Sequence, residues 1–117
     1  MTDREMLELA AKAAGVPAYW SVDGTLQNRP MFVVQAGGGM GTMPYEAAWN
    51  PLRDDGLALW LAVKLRLQIT SGTYRPDECS VFSAGVAEAH ERGDDLYAAT
   101  RRAIVRAAAE IGKEQPK

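Results

Sequence analysis

The 117-residue chain has one cysteine, Cys79, and one histidine, His90. A single Cys leaves no internal disulfide, so no oxidising compartment is implied. One Cys and one His are also too few ligands for a zinc site. No excess of either charge is present: 13 basic and 15 acidic residues give a formal net charge of −2. With a pI near 5.4, the chain disfavours a nucleic-acid backbone as its main partner. The longest apolar run, Leu57–Val63, falls well short of the ~20 residues that span a bilayer. The opening segment carries Asp3, Arg4, Glu5 and Glu8, which an apolar signal segment would not. These absences lead to the expectation of a soluble, cytoplasmic protein with no membrane contact.

Hydrophobic residues make up 47% of the chain and charged residues 24%, a balance that suits a globular protein. The length predicts one domain over residues 1–113, with 114–117 as a frayed tail. Its organising stretch is Trp49–Leu65. Pro51 fixes its own φ and keeps Asn50 out of the α region, so the chain arrives extended. Asp54 and Asp55 suit the first turn of a helix, predicted over 55–66. A start one turn earlier, with Asn50 as the cap and Pro51 at the first helical position, is also compatible.

The other elements follow in order. Thr2 and Glu5 form a capping box ahead of Met6, Leu9, Ala10 and Ala13 at helical spacing, and Gly15 stops the helix, predicted over 3–14. Ala18–Val22 and Met31–Gln35 read as strands joined through Asp23–Arg29. Tyr45–Trp49 is a short extended segment, and Leu67–Thr70 alternates as a half-buried strand should. Cys79–Ala89 reads as one further strand, broken in period by Gly85, with His90–Gly93 as a turn. Asp94 or Asp95 caps a last helix that runs to Ile111 and stops at Gly112. Its buried stripe is predicted as Leu96, Tyr97, Ile104, Ala107, Ala108 and Ile111, with Arg101, Arg102 and Arg106 on a solvated outer face. The fold class is therefore α+β, a mostly antiparallel sheet of about four strands packed with three helices.

No catalytic constellation stands out. Cys79 and His90 fall at opposite ends of the one predicted strand, too far apart to work as nucleophile and base. Ser80 and Ser83 have no elbow motif, and the Asp54-Asp55 and Asp94-Asp95 pairs sit where helix caps need acids. The loop Gly37, Gly38, Gly39 and Gly41 offers bare backbone N–H groups to an anion, with Tyr45 and Trp49 as neighbouring aromatics. It lacks the Lys-Ser/Thr of a P-loop, and Pro44 follows in place of a helix start. A mobile hairpin tip is the plainer reading. No cofactor is expected, and the chain reads as a binding protein rather than an enzyme.

Trp49–Leu65, taken with Asp94–Glu110 and the opening helix Met6–Ala14, resembles small phage and prophage proteins grouped as the phage ABA sandwich domain, with NinX-like phage proteins also similar. The resemblance implies a sheet layered between helices and a phage gene product, and carries no known activity or catalytic residue. The family tends to place charged residues just after the Asp-Asp-Gly and three residues later, where this chain has Leu57 and Trp60. The expected role is that of a phage accessory protein that binds a host or phage protein, or forms a weak homodimer. The candidate interaction surface is Leu57, Trp60, Lys64 and Arg53. Leu57 and Trp60 are expected to point away from an inner face made of Ala58, Leu59, Ala62 and Leu65. The alternative role is a nucleotide-like ligand binder built on the glycine loop.

Overall fold

The computed structural model describes residues 2–21, 31–36, 45–72, 76–83 and 87–115. In chain order the elements are α1 (Asp3–Ala14), β1 (Tyr19–Ser21), β2 (Met31–Ala36), β3 (Tyr45–Ala48) and α2 (Asp55–Lys64). They continue with β4 (Gln68–Ser71), β5 (Glu78–Ser83), β6 (Ala87–Arg92) and α3 (Leu96–Glu114). The class is α+β. Two antiparallel sheets of three strands, ordered β1-β2-β3 and β4-β5-β6, replace the expected set of about four strands.

The extra strands come from two places. Tyr45–Ala48 pairs along β2, from Val33 opposite Ala48 to Ala36 opposite Tyr45. The segment expected as one strand over 79–89 is two, β5 and β6, paired from Glu78 opposite Arg92 to Ser83 opposite Ala87. His90–Arg92, expected in a turn, therefore form the end of β6. Gly85, which interrupts the period of the expected strand, falls in the interval between the two arms.

Local signals set the helix starts. The Thr2 hydroxyl accepts from the Glu5 N–H at 3.1 Å, and Gly15 ends α1 in the left-handed region. Asp54 caps α2 through the Leu57 N–H at 2.9 Å. Asn50 closes a separate turn, its side-chain oxygen accepting from the Leu52 N–H. Asp95 caps α3 by accepting from Tyr97 and Ala98.

Packing centres on α3, which lies against α1, α2 and all three strands of the second sheet. Three contacts give its direction relative to α1. Arg102 pairs with Asp3, the Gly112 Cα comes up to the Leu9 backbone, and Lys12 donates to the Gln115 carbonyl. The contacts advance together along both chains, so the two helices run parallel. Small residues lie on the facing sides: Ala10 is buried on α1, and Ala108, Ala109 and Gly112 on α3.

That seam corrects three expectations. Gly112 is not a stop; α3 continues to Glu114, and Gly112 is buried within it. A Cβ there would sit 2.1 Å from the Leu9 carbonyl oxygen, so only Gly permits the approach. Tyr97 is 74% exposed although it shares a face with Ile104. The reason is that α1 begins level with Arg102, so the first turn of α3 extends past it. Of the three arginines expected on a solvated face, Arg102 and Arg106 are substantially exposed but Arg101 is mostly buried, and all three are paired. Arg101 donates to the Leu52 carbonyl and pairs with Asp55 at 2.7 Å, Arg102 pairs with Asp3, and Arg106 pairs with Glu91 at 2.6 Å. Arg101 ties α3 to α2 and the turn before it, Arg102 ties it to α1 and β6, and Arg106 ties it to β6.

Two substitutions test this packing. Gly112→Ala should lower stability by about 2–3 kcal/mol in denaturant unfolding, because two backbones must separate. Gly93→Ala, where nothing lies within 4 Å of the added carbon, should change it by less than about 0.5 kcal/mol. At the end of α2, Arg66 adopts φ 56° while Leu67 N–H bonds back to Ala62. This is the position that glycine normally takes, so Arg66→Gly should raise stability by roughly 1 kcal/mol.

Candidate functional site

On α2 the inward stripe is Ala58, Leu61 and Ala62, with Leu65 half-buried. Leu59, expected inside, is 62% exposed, and Leu61 takes its place. Leu57–Val63 is apolar all round, so its pattern could not choose a face. The buried set has the i, i+3, i+4, i+7 spacing that one packed side requires.

The outward face of α2 is also apolar. Trp60 is 46% and Val63 69% exposed, and with Leu59 they make one contiguous stripe, three or four residues apart along the helix. Asp55 stands at one end of the stripe and Lys64 at the other, both exposed. The four residues singled out from sequence therefore divide. Trp60 and Lys64 lie on this outward face. Leu57 is half-buried and, with Arg53, lines a cleft beside the helix start.

The cleft has a volume of about 520 Å³. The first turn of α1 contributes Asp3, Arg4 and Leu7, and the first sheet contributes Trp20 and Phe32. The turn before α2 closes it with Asn50, Leu52 and Arg53. Trp20 and Phe32 meet edge to face at 5.3 Å, being register partners across β1 and β2. The Arg4 guanidinium lies 4.3 Å above the Trp20 ring. The sequence signal for this cleft was slight, because its residues come from three separate stretches of the chain.

Gly37, Gly38, Gly39 and Gly41 lie outside the described residues, as does the Tyr45 side chain. The strand ends they join, Ala36 and Tyr45, are five residues along β2 from the Met31 end, or roughly 17 Å. Trp49 is 3% exposed, and its N–H donates to the Phe32 carbonyl, so it belongs to the core.

The second sheet holds a constellation that sequence reading missed. Ser80 and His90 are register partners, with Ser80 Oγ 2.8 Å from His90 Nδ1, and His90 Nε2 is 2.6 Å from Glu88. The carboxylate only accepts, so the neutral ring carries its proton on Nε2 and accepts from the Ser80 hydroxyl. The order Ser-His-Glu is that of a hydrolase triad. Two features oppose that use. Ser80 is only 2% exposed, and it sits in the central strand, whose N–H groups serve the ladders to β4 and β6 instead of an oxyanion. Cys79, next to it, points to the opposite face and is fully buried, so it is no partner for His90. Among the described residues, no group of three or more His, Cys, Asp or Glu side chains could hold a metal ion. None of the described helices is long and apolar enough to cross a membrane.

No protein-family model, curated protein or solved structure matches the chain. The likeness to phage ABA sandwich proteins thus rests on its sequence motifs alone, and the functional argument rests on surface geometry.

The reading of Ser80 as a structural hydroxyl predicts that a fluorophosphonate leaves it unmodified, as peptide mass spectrometry would show. Ser80→Ala should cost about 1 kcal/mol of stability, the value of one hydrogen bond.

Proposed function

We propose that the protein acts by binding protein, through the outward face of α2, and that a second copy of the chain occupies this face. The observation that carries the reading is the exposure of Leu59, Trp60 and Val63 together on a ten-residue helix. An aromatic anchor flanked by aliphatic side chains and bounded by charges is the composition of an interface centre. The charges favour a copy of the chain as occupant. Two α2 helices packed antiparallel about a two-fold axis near Trp60 bring Lys64 of each beside Asp55 of the other, an exposed acid that already pairs through Oδ1 with Arg101 of its own chain and would be shared. The same patch then serves both partners, as two-fold symmetry requires.

A stripe from one helix is smaller than the roughly 800 Å² per partner of a stable interface, so the association is weak. A host or phage protein, the partner implied by the sequence resemblance, would compete for the same face. The proposal is a binding role and assigns no chemistry.

Sedimentation velocity from about 10 µM to 1 mM tests it. The expected result is reversible dimerisation with Kd on the order of 100 µM. Trp60→Arg should remove the dimer while leaving the thermal midpoint within ~2 °C of the parent, since the side chain points outward. A monomer at every concentration would overturn the reading, as would unfolding of the Trp60→Arg variant.

A further inference from the structure

We propose that the cleft between α1, the first sheet and the start of α2 binds a small planar aromatic anion. The argument begins with charge. Four charged residues line the cleft, two acids and two arginines, and the acids are already engaged. Asp3 accepts from Arg102 at 3.1 Å, and Asp54 caps the Leu57 N–H. Among the described residues, neither Arg4 nor Arg53 pairs with a carboxylate. Each guanidinium keeps a fork of donors suited to a carboxylate or phosphate.

The apolar part of the cleft fixes the other half of the ligand. Leu7 and Phe32 are buried in its floor, and Trp20, Leu52 and Leu57 are half-buried around them. The Arg4 guanidinium lies 4.3 Å over the Trp20 ring and Arg4 is exposed, so a ligand ring reaching the guanidinium from solvent would complete a stack of ring, guanidinium and Trp20. Asn50 adds a polar contact. Its side-chain oxygen is used by the Leu52 N–H, which leaves the amide N–H₂ to donate. Apolar walls with a few convergent polar groups, in a volume of about 520 Å³, are the usual make-up of a small-ligand site.

Two sources supply such a ligand: an aromatic acid or a nucleotide. They share a planar ring and an anionic group, and the cleft recognises both features together. Its lining includes Leu57, one turn before Trp60 on α2, but not Trp60 itself, so the Trp60→Arg variant tests the two surfaces separately.

Isothermal titration calorimetry with the full chain distinguishes the outcomes. Indole-3-carboxylate and adenosine monophosphate are the two aromatic anions; indole, adenosine and inorganic phosphate each lack one of the two features. At least one aromatic anion should bind with Kd below about 1 mM, and each single-feature compound at least about tenfold more weakly. The tighter of the two anions identifies the source. Arg53→Gln and Arg4→Gln should each weaken that binding about tenfold, the loss of one charge-assisted contact. Arg53 is exposed and, among the described residues, pairs with no carboxylate, so its replacement should leave the fold intact, which the thermal midpoint verifies. Trp60→Arg should bind as the parent does. The proposal is overturned if neither aromatic anion binds below about 1 mM. It is equally overturned if both arginine variants bind as the parent does.

Discussion

The closeness of α1 to α3 is the constraint on which the other contacts depend. At Gly112 the two backbones meet with no room for a side chain, and alanines line the buried seam on either side. Small side chains allow many dispersion contacts between main chains, each weak and collectively large. Because the helices run parallel, the first turn of α1 is held level with Arg102 in the middle of α3. That places Arg4 and Leu7 against the first sheet, and so creates one wall of the cleft.

From this seam α3 reaches outward in three directions. Arg101 holds the turn before α2 through the Leu52 carbonyl and the start of α2 through Asp55. Arg106 and Arg102 converge on Glu91 of β6, a half-buried acid facing the helix. Exposed ion pairs contribute little individually, but Arg101 is mostly buried and makes two bonds in one geometry. With the inner stripe of α2 turned toward the core and its N-terminal turn pinned, Leu59, Trp60 and Val63 have no position other than the surface. The same pinning turns Arg53 and Leu57 toward the cleft. One arginine thus helps to separate two surfaces of different chemistry.

The second sheet shows how a polar group can be catalytic in order and structural in setting. Ser80, His90 and Glu88 are linked by hydrogen bonds on one sheet face, and the Phe82 ring meets His90 edge to face. A buried hydroxyl needs a partner, and the imidazole supplies one. Strand pairing brings these residues together across the hairpin, and the same pairing consumes the N–H groups that an oxyanion would need.

Much of the local structure was legible in the residues themselves. Thr2 with Glu5, Gly15, Asp54 and Asp95 act within a few residues of the groups they satisfy, so the helix starts, and the end of α1, could be read directly. The α+β class followed from the order of periodic segments. What failed needed a second element to decide it. Gly112 has the form of a helix stop, and only the Leu9 backbone makes it an interior contact. Leu59 and Leu61 are equivalent in an all-apolar run until packing selects one. Gly85 interrupts the period between β5 and β6, but only strand pairing reveals that Ser80 faces His90. Sequence determined where the elements begin, because capping is local. Tertiary structure decided which faces they bury and what those faces leave exposed, because that depends on groups far apart in the chain.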